Sequence, residues 1–148
     1  MEIERKFLVS ALPADYGQYP SHQIEQAYLS TNPVVRIRKE DDQYYLTYKS
    51  KGLLAREEYN LPLNQDSYEH LLTKADGIVL TKQRFRIPLP GTSYTAELDI
   101  FSGRYEGLVL VEVEFETEEQ ANAFLPPDWF GEDVTFSGEY QNSRLASI

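Results

Sequence analysis

Cysteine is absent from this 148-residue chain, and histidine occurs only twice, at His22 and His70. These shortages exclude disulfides, thiol nucleophiles and thiolate zinc sites, and leave too little imidazole for a histidine-rich metal centre. Any metal must be held mainly by oxygen. Basic residues are also scarce: 14 Lys and Arg stand against 24 Asp and Glu, a net charge of −10. That balance argues against a non-specific nucleic-acid binder, which carries a basic surface. No run approaches the roughly 20 apolar residues of a membrane span. The N-terminus is acidic and strand-like, unlike a basic segment followed by an apolar signal core. The expectation is a cytoplasmic protein with neither membrane nor nucleic acid as partner.

What is present reads as ordinary globular material, 41% hydrophobic and 13% aromatic, enough for one domain over residues 1–148. Strand-like runs follow one another, separated by turn signals. They are MEIERKFLV, IEQAYLS, VVRIRKE, YYLTYKSKG, REEYNLPL, IVLTKQRFRIPL, SYTAELDIF and LVLVEVEFE. The seventh and sixth form a hairpin about Pro90-Gly91. Two short helices interrupt them. In NQDSYEHLLTKADG, Asp66 reads as the cap with Glu69 completing a capping box, and Asp76-Gly77 as the end. In TEEQANAFL, Thr117 caps with Gln120. LPPDWFGEDV reads as a loop anchored by Trp129, and GEYQNSRLA as a terminal helix. His22 and His70 read as surface residues, and Tyr28 as strand packing, with the alternative that its strand turns it toward an enclosed interior.

Side chains alternate between the two faces of a strand, and here that alternation segregates charge. Glu2, Glu4 and Lys6 share one face of the first strand, opposite Ile3, Phe7 and Val9. The same split recurs with Arg36 and Arg38, then Thr47, Lys49 and Lys51, then Arg56, Glu58 and Asn60. It continues with Lys82, Arg84 and Arg86, with Glu97 and Asp99, and with Glu112, Glu114 and Glu116. A wet face mixes signs, whereas several of these rows carry a single sign. Like charges opposed along or across a sheet cost energy, so something must offset them. Strands closed into a barrel with these faces inward would supply the answer: a basic set that grips a polyanion and an acidic set that holds divalent cations. Mg²⁺ and Mn²⁺ suit carboxylate and water ligands and bridge to substrate phosphates. Closure also removes sheet edges.

The ordered motifs E-x-E-x-K (Glu2, Glu4, Lys6), R-x-R (Arg36, Arg38), Lys49, R-x-E (Arg56, Glu58), K-x-R (Lys82, Arg84), E-x-D (Glu97, Asp99) and E-x-E (Glu112, Glu114) resemble the CYTH domains of the triphosphate tunnel metalloenzymes. The resemblance spans essentially the whole chain. It implies a mainly β fold: a closed eight-stranded antiparallel barrel, open at both ends, with a few short flanking helices. It implies hydrolysis of inorganic triphosphate, a small-molecule substrate, with Mg²⁺ or Mn²⁺ as cofactor. A homodimer is left open. Glu2, Glu4, Glu112 and Glu114 are expected to meet as the principal metal site, with Glu58, Glu97 and Asp99 available to a second ion or to orient water. Arg36, Arg38, Lys49, Arg56, Lys82 and Arg84, with Lys6, are expected to bind phosphate oxygens. Glu4, Lys6, Glu58 and Lys82 carry the catalytic expectation. Asn60 and Glu139 depart from the family pattern, which bears on the second ion and on closure of the tunnel's far end. The family also admits class IV adenylate cyclases and thiamine triphosphatases, which need a pocket for the organic group. A non-catalytic polyphosphate receptor would need the basic set without the paired carboxylates.

Overall fold

The computed structural model describes residues 1–147, and in it the charged rows lie on the strands of one sheet, with only Lys51 and Glu116 falling past the strand ends. The strands are β1 (Glu2–Val9), β2 (Ser21–Thr31), β3 (Val34–Glu40), β4 (Gln43–Lys49), β5 (Ala55–Arg56), β6 (Glu58–Leu63), β7 (Asp76–Pro88), β8 (Thr95–Ser102), β9 (Val109–Glu114) and β10 (Phe130–Asp133). Helices α1 (Gln65–Leu72), α2 (Glu118–Ala123) and α3 (Asn142–Leu145) are short. No helix of the described residues is long and apolar enough to cross a membrane.

Neighbouring strands run β1-β9-β8-β7-β2-β3-β4-β6, all antiparallel. The segment expected as one strand, REEYNLPL, is bent at Glu57. Its first two residues, as β5, pair with β1, and the remainder, as β6, pairs with β4. The bend closes the ring, so β5 and β6 together count as the eighth strand of the barrel. Ser50 fixes the corner: its amide donates to the Glu57 carbonyl at 3.0 Å and its hydroxyl accepts from the Glu57 amide at 2.8 Å.

The outward faces carry the apolar side chains, covered on two sides. Phe7, Val111, Val113, Leu98 and Phe85 pack beneath α2, β10 and the 11–20 loop. Phe7 meets Phe130 at 5.0 Å and Phe124 at 6.2 Å between ring centroids. Truncating so buried a ring costs about 3–5 kcal/mol. Ala27 and Ile37 pack beneath Tyr68 of α1.

The inward rows are charged at one end of the barrel and apolar at the other. Leu8, Val34, Leu80, Phe101 and Leu110 continue the faces that begin with Glu4, Arg38, Arg84, Glu97 and Glu114, and with Tyr28 they form an apolar collar. The C-terminal segment docks there, burying Leu145 and Ala146. Ile78 donates its amide to Ala146 at 2.8 Å, and the Tyr105 hydroxyl donates to the Leu145 carbonyl at 2.6 Å. The barrel is therefore stoppered at this end, not open at both as the resemblance implied.

Three local expectations need correction. The cap of α1 is Asn64, whose side chain accepts from the Ser67 amide while Ser67 returns a bond to the Asn64 amide. Asp66 sits inside the first turn, and Asp76-Gly77 opens β7 rather than ending the helix. Phe130–Asp133, expected as loop, pairs with the end of β1 as β10. The terminal helix spans only Asn142–Leu145. Thr117 and Gln120 do form a capping box.

Candidate active site

The charged end of the barrel encloses a cavity of about 530 Å³. Its wall includes Glu2, Glu4, Arg36, Arg38, Lys49, Glu58, Arg84, Glu97, Glu112 and Glu114, with Asn60, Tyr94, Glu116 and Gln120 towards solvent. Lys6, Lys82 and Asp99 lie deeper, and all three are buried.

Strand register brings the two chain ends together. Glu4 stands directly opposite Glu114 across β1 and β9, and Lys6 opposite Glu112. One carboxylate oxygen each from Glu2, Glu4 and Glu114 lie within 4.8 Å of one another. Burial and neighbouring carboxylates keep two of them, Glu4 and Glu114, from ionising readily. Burial, then the charges of Glu112 and Glu2, push the Glu4 carboxyl well above its usual range. Burial, then Glu97, Glu2 and Glu58, raise Glu114 to about 7. Three hard oxygen donors converging on one point are a donor set suited to a divalent cation. Glu112, expected in the same set, lies beside Glu4 but outside the three-oxygen convergence: despite burial, Lys6 and Arg84 and a hydrogen bond shared with Glu4 hold it well below the carboxylate range. Arg84 Nη2 lies 3.5 Å from it.

Most cations already have carboxylate partners. Lys49 donates to both oxygens of Glu2 at 3.0 and 3.1 Å and lies 3.3 Å from Glu58; Arg56 Nε donates to Glu2 at 3.2 Å. Burial opposes ionisation of Glu58, but a hydrogen bond shared with Glu2 and the charges of Lys49 and Arg36 hold it at about 2. Arg84 grips Asp99 with two bonds, 2.7 and 2.9 Å, and Arg86 donates to Glu97 at 2.6 Å. Lys82, 0% exposed, contacts Asp99, 1% exposed, at 2.9 Å and Asn142 at 3.4 Å. Burial draws the Lys82 ammonium down to about 7 against the pull of Asp99. Lys6 donates to the Tyr140 carbonyl at 2.9 Å.

Arg36 and Arg38 differ. The Arg36 Nε is buried without a hydrogen-bond partner. Arg38 donates through Nε and Nη2 to Gln26, at 3.1 and 2.8 Å, and among the described residues its nearest carboxylate, Glu40, is 3.8 Å away. Among the described residues neither is hydrogen-bonded to a carboxylate, and two such cations facing a cavity form a seat for an anion.

All the expected site residues line one barrel interior. Within it, Glu97 and Asp99 are engaged by arginine and lysine rather than gathered with the three-carboxylate cluster. Asn60 accepts from Thr47 at 2.6 Å and donates to Glu58 at 3.3 Å, in place of an acidic side chain. Gln26 and Asn142 were missed because neither is charged. Gln26 was nonetheless detectable: it occupies the inward parity of β2, two residues before Tyr28, which also turns inward.

A tunnel of paired charge rows on an eight-stranded ring defines the CYTH domain family, and the chain belongs to it: the CYTH domain matches residues 1–144. It is 40% identical to an inorganic triphosphatase of Nitrosomonas europaea, over 98% of this chain and 96% of that protein. It is 36% identical to an inorganic triphosphatase of Acetivibrio thermocellus, over 97% and 92%. The crystal structure of the inorganic triphosphatase NE1496 is 39% identical, superposes with a TM-score of 0.74, and is covered to 96% by the whole of this chain.

Proposed function

We propose that this protein is a cytoplasmic, divalent-cation-dependent inorganic triphosphatase that hydrolyses triphosphate to pyrophosphate and phosphate inside the barrel. The observation that carries the reading is the division of one cavity into a convergent carboxylate set (Glu2, Glu4, Glu114) and an anion seat without strong counter-ions (Arg36, Arg38). The relatives named inorganic triphosphatase support it over nearly the full length.

In this reading Glu2, Glu4 and Glu114 hold Mg²⁺ or Mn²⁺, which supplies charge neutralisation on the phosphates and acidifies bound water. Arg36 and Arg38 take the phosphate oxygens first, because no strong partner must be displaced. Lys49, Arg56 and Arg84 can add bonds by sharing themselves between carboxylate and substrate. Phosphoryl transfer needs alignment and electrostatic stabilisation more than covalent help, which suits a rigid wall of β-strands. Glu58, held ionised, is placed to orient water at the cavity's edge. Lys82, near 7, keeps a proton poised deep in the site and answers to Asp99 and Asn142. Lys6 uses one of its three donors on the Tyr140 carbonyl and places its charge beside Glu112.

Phosphate release from inorganic triphosphate, ATP, thiamine triphosphate and pyrophosphate, each with Mg²⁺, with Mn²⁺ and with chelator, tests the reading. Inorganic triphosphate should be preferred and chelator should abolish turnover. Preference for an organic triphosphate, or full turnover in chelator, would overturn it.

A further inference from the structure

Gln26 and Arg38 are direct cross-strand partners on β2 and β3, as Arg84 and Asp99 are on β7 and β8. Both arginines receive a two-pronged grip from the residue opposite: Arg84 from a carboxylate at 2.7 and 2.9 Å, Arg38 from an amide oxygen at 3.1 and 2.8 Å. Both grips use Nε and Nη2, but Asp99 offers two charged oxygens and Gln26 a single neutral one. A carboxylate neutralises the guanidinium it holds, whereas a neutral amide orients it and leaves its charge intact.

Gln26 is itself fixed. It is 0% exposed, and its amide nitrogen faces the Tyr28 hydroxyl at 3.5 Å, so the carbonyl oxygen is the end that meets Arg38. The reverse orientation would set donor against donor. Holding an unneutralised arginine in a buried place is costly: burial, then the like charges of Arg36 and Arg84, pull the Arg38 guanidinium down to about 9, still charged at neutral pH. A glutamate has the same shape as glutamine and would remove that cost, yet glutamine stands there.

We propose that Gln26 is a positioning residue for substrate binding, aiming Arg38 at the triphosphate with a neutral grip so that the guanidinium charge stays available to a phosphate oxygen. This rests on the reading of Arg38 as a phosphate donor.

The test compares Gln26→Glu, Gln26→Leu and Arg38→Ala, using triphosphate hydrolysis at saturating Mg²⁺ and thermal unfolding without ligand. Gln26→Glu should raise KM about tenfold or more, the scale of one charge-assisted hydrogen bond, with kcat changed much less, while the ligand-free Tm stays level or rises. Gln26→Leu should raise KM as well but lower Tm, since it strips Arg38 of its only close acceptor. Opposite Tm responses with the same KM response separate positioning from mere structural support. If Gln26→Glu keeps wild-type KM while Arg38→Ala raises it, the inference fails alone. If Arg38→Ala leaves KM unchanged, the assignment of Arg38 fails and the inference with it. A rise in KM accompanied by a fall in Tm in Gln26→Glu would also overturn it.

Discussion

Glu4 and Glu114 stand directly opposite each other on antiparallel strands, and their carboxylate oxygens converge with that of Glu2 within 4.8 Å. Like charges so placed destabilise a sheet. Such a cluster works against the ligand-free fold, and in the proposed reading a bound cation would offset it.

Glu114→Gln keeps the volume and removes one charge. The ligand-free Tm should therefore rise, while cation affinity and turnover fall together. The contribution of a metal to a transition state is several kcal/mol, so the rate loss should be about a hundredfold or more. Thermal unfolding in chelator and a metal titration at saturating substrate check both halves. A near-wild-type rate at low metal would remove Glu114 from the metal site.

The same residue sets a pH dependence. Glu114 titrates at about 7 in the folded protein and at an ordinary 4.5 otherwise. The folded state then holds a proton that the unfolded chain has released, so this contribution is complete below 4.5 and is lost as pH rises through 7. The Tm in chelator should fall across that window, less so in Glu114→Gln. Saturating Mg²⁺, which competes with the proton, should flatten the slope. Measurements belong below pH 7, because Lys82, depressed from 10.5 to about 7, works in the opposite sense above it.

Asp99→Asn should act in the reverse direction from Glu114→Gln. It leaves Arg84 and the fully buried Lys82 without their shared carboxylate. Breaking a buried pair from one side costs about 3–5 kcal/mol. At about 2–4 °C per kcal/mol for a chain of this size, Tm should drop by roughly 10 °C. An unchanged Tm would show that the pairing adds nothing to stability.

Gly77→Ala tests the stopper. A Cβ there would lie 2.0 Å from the Ala146 carbonyl oxygen, at a φ of +71°. The Ile78–Ala146 bond must break, and limited proteolysis should remove the C-terminal segment faster. Gly91→Ala, at φ +78° with open space around it, supplies the control for backbone strain alone. Equal protease sensitivity in the two variants would refute the docking contact.

Charge parity made the barrel and its inner rows legible, because a period of two survives in any strand whose faces differ. The rest was hidden for physical reasons. Gln26 carries no charge, so a pattern built on sign passes over it. The bend at Glu57 lies inside a run whose alternation is unbroken in sequence, and Ser50, eight residues before Glu58, makes it. β10 lies in a loop-like stretch after two prolines and relies on tertiary contacts: Arg5 reaches Asp133 at 2.9 Å and the Ala121 carbonyl at 2.8 Å. The apolar ends of the inward rows looked like core, and only the docked Leu145 and Ala146 show that they face the lumen.

The bent strand also decides where the ring is weakest. Every other seam of the barrel is a long ladder, but β1 meets β5 through only two residue pairs, Glu2 with Arg56 and Ile3 with Ala55, helped by the bond from the Glu4 amide to Leu54 at 3.0 Å. Local opening starts where backbone bonds are few, so amide hydrogens at this clasp should exchange before those of the other barrel seams. Glu2 sits at the clasp and is shared by Lys49, Arg56 and the carboxylate cluster. Whatever fills the lumen therefore also fastens the hoop, and exchange at Ala55 and Arg56 reports occupancy from the outside of the wall.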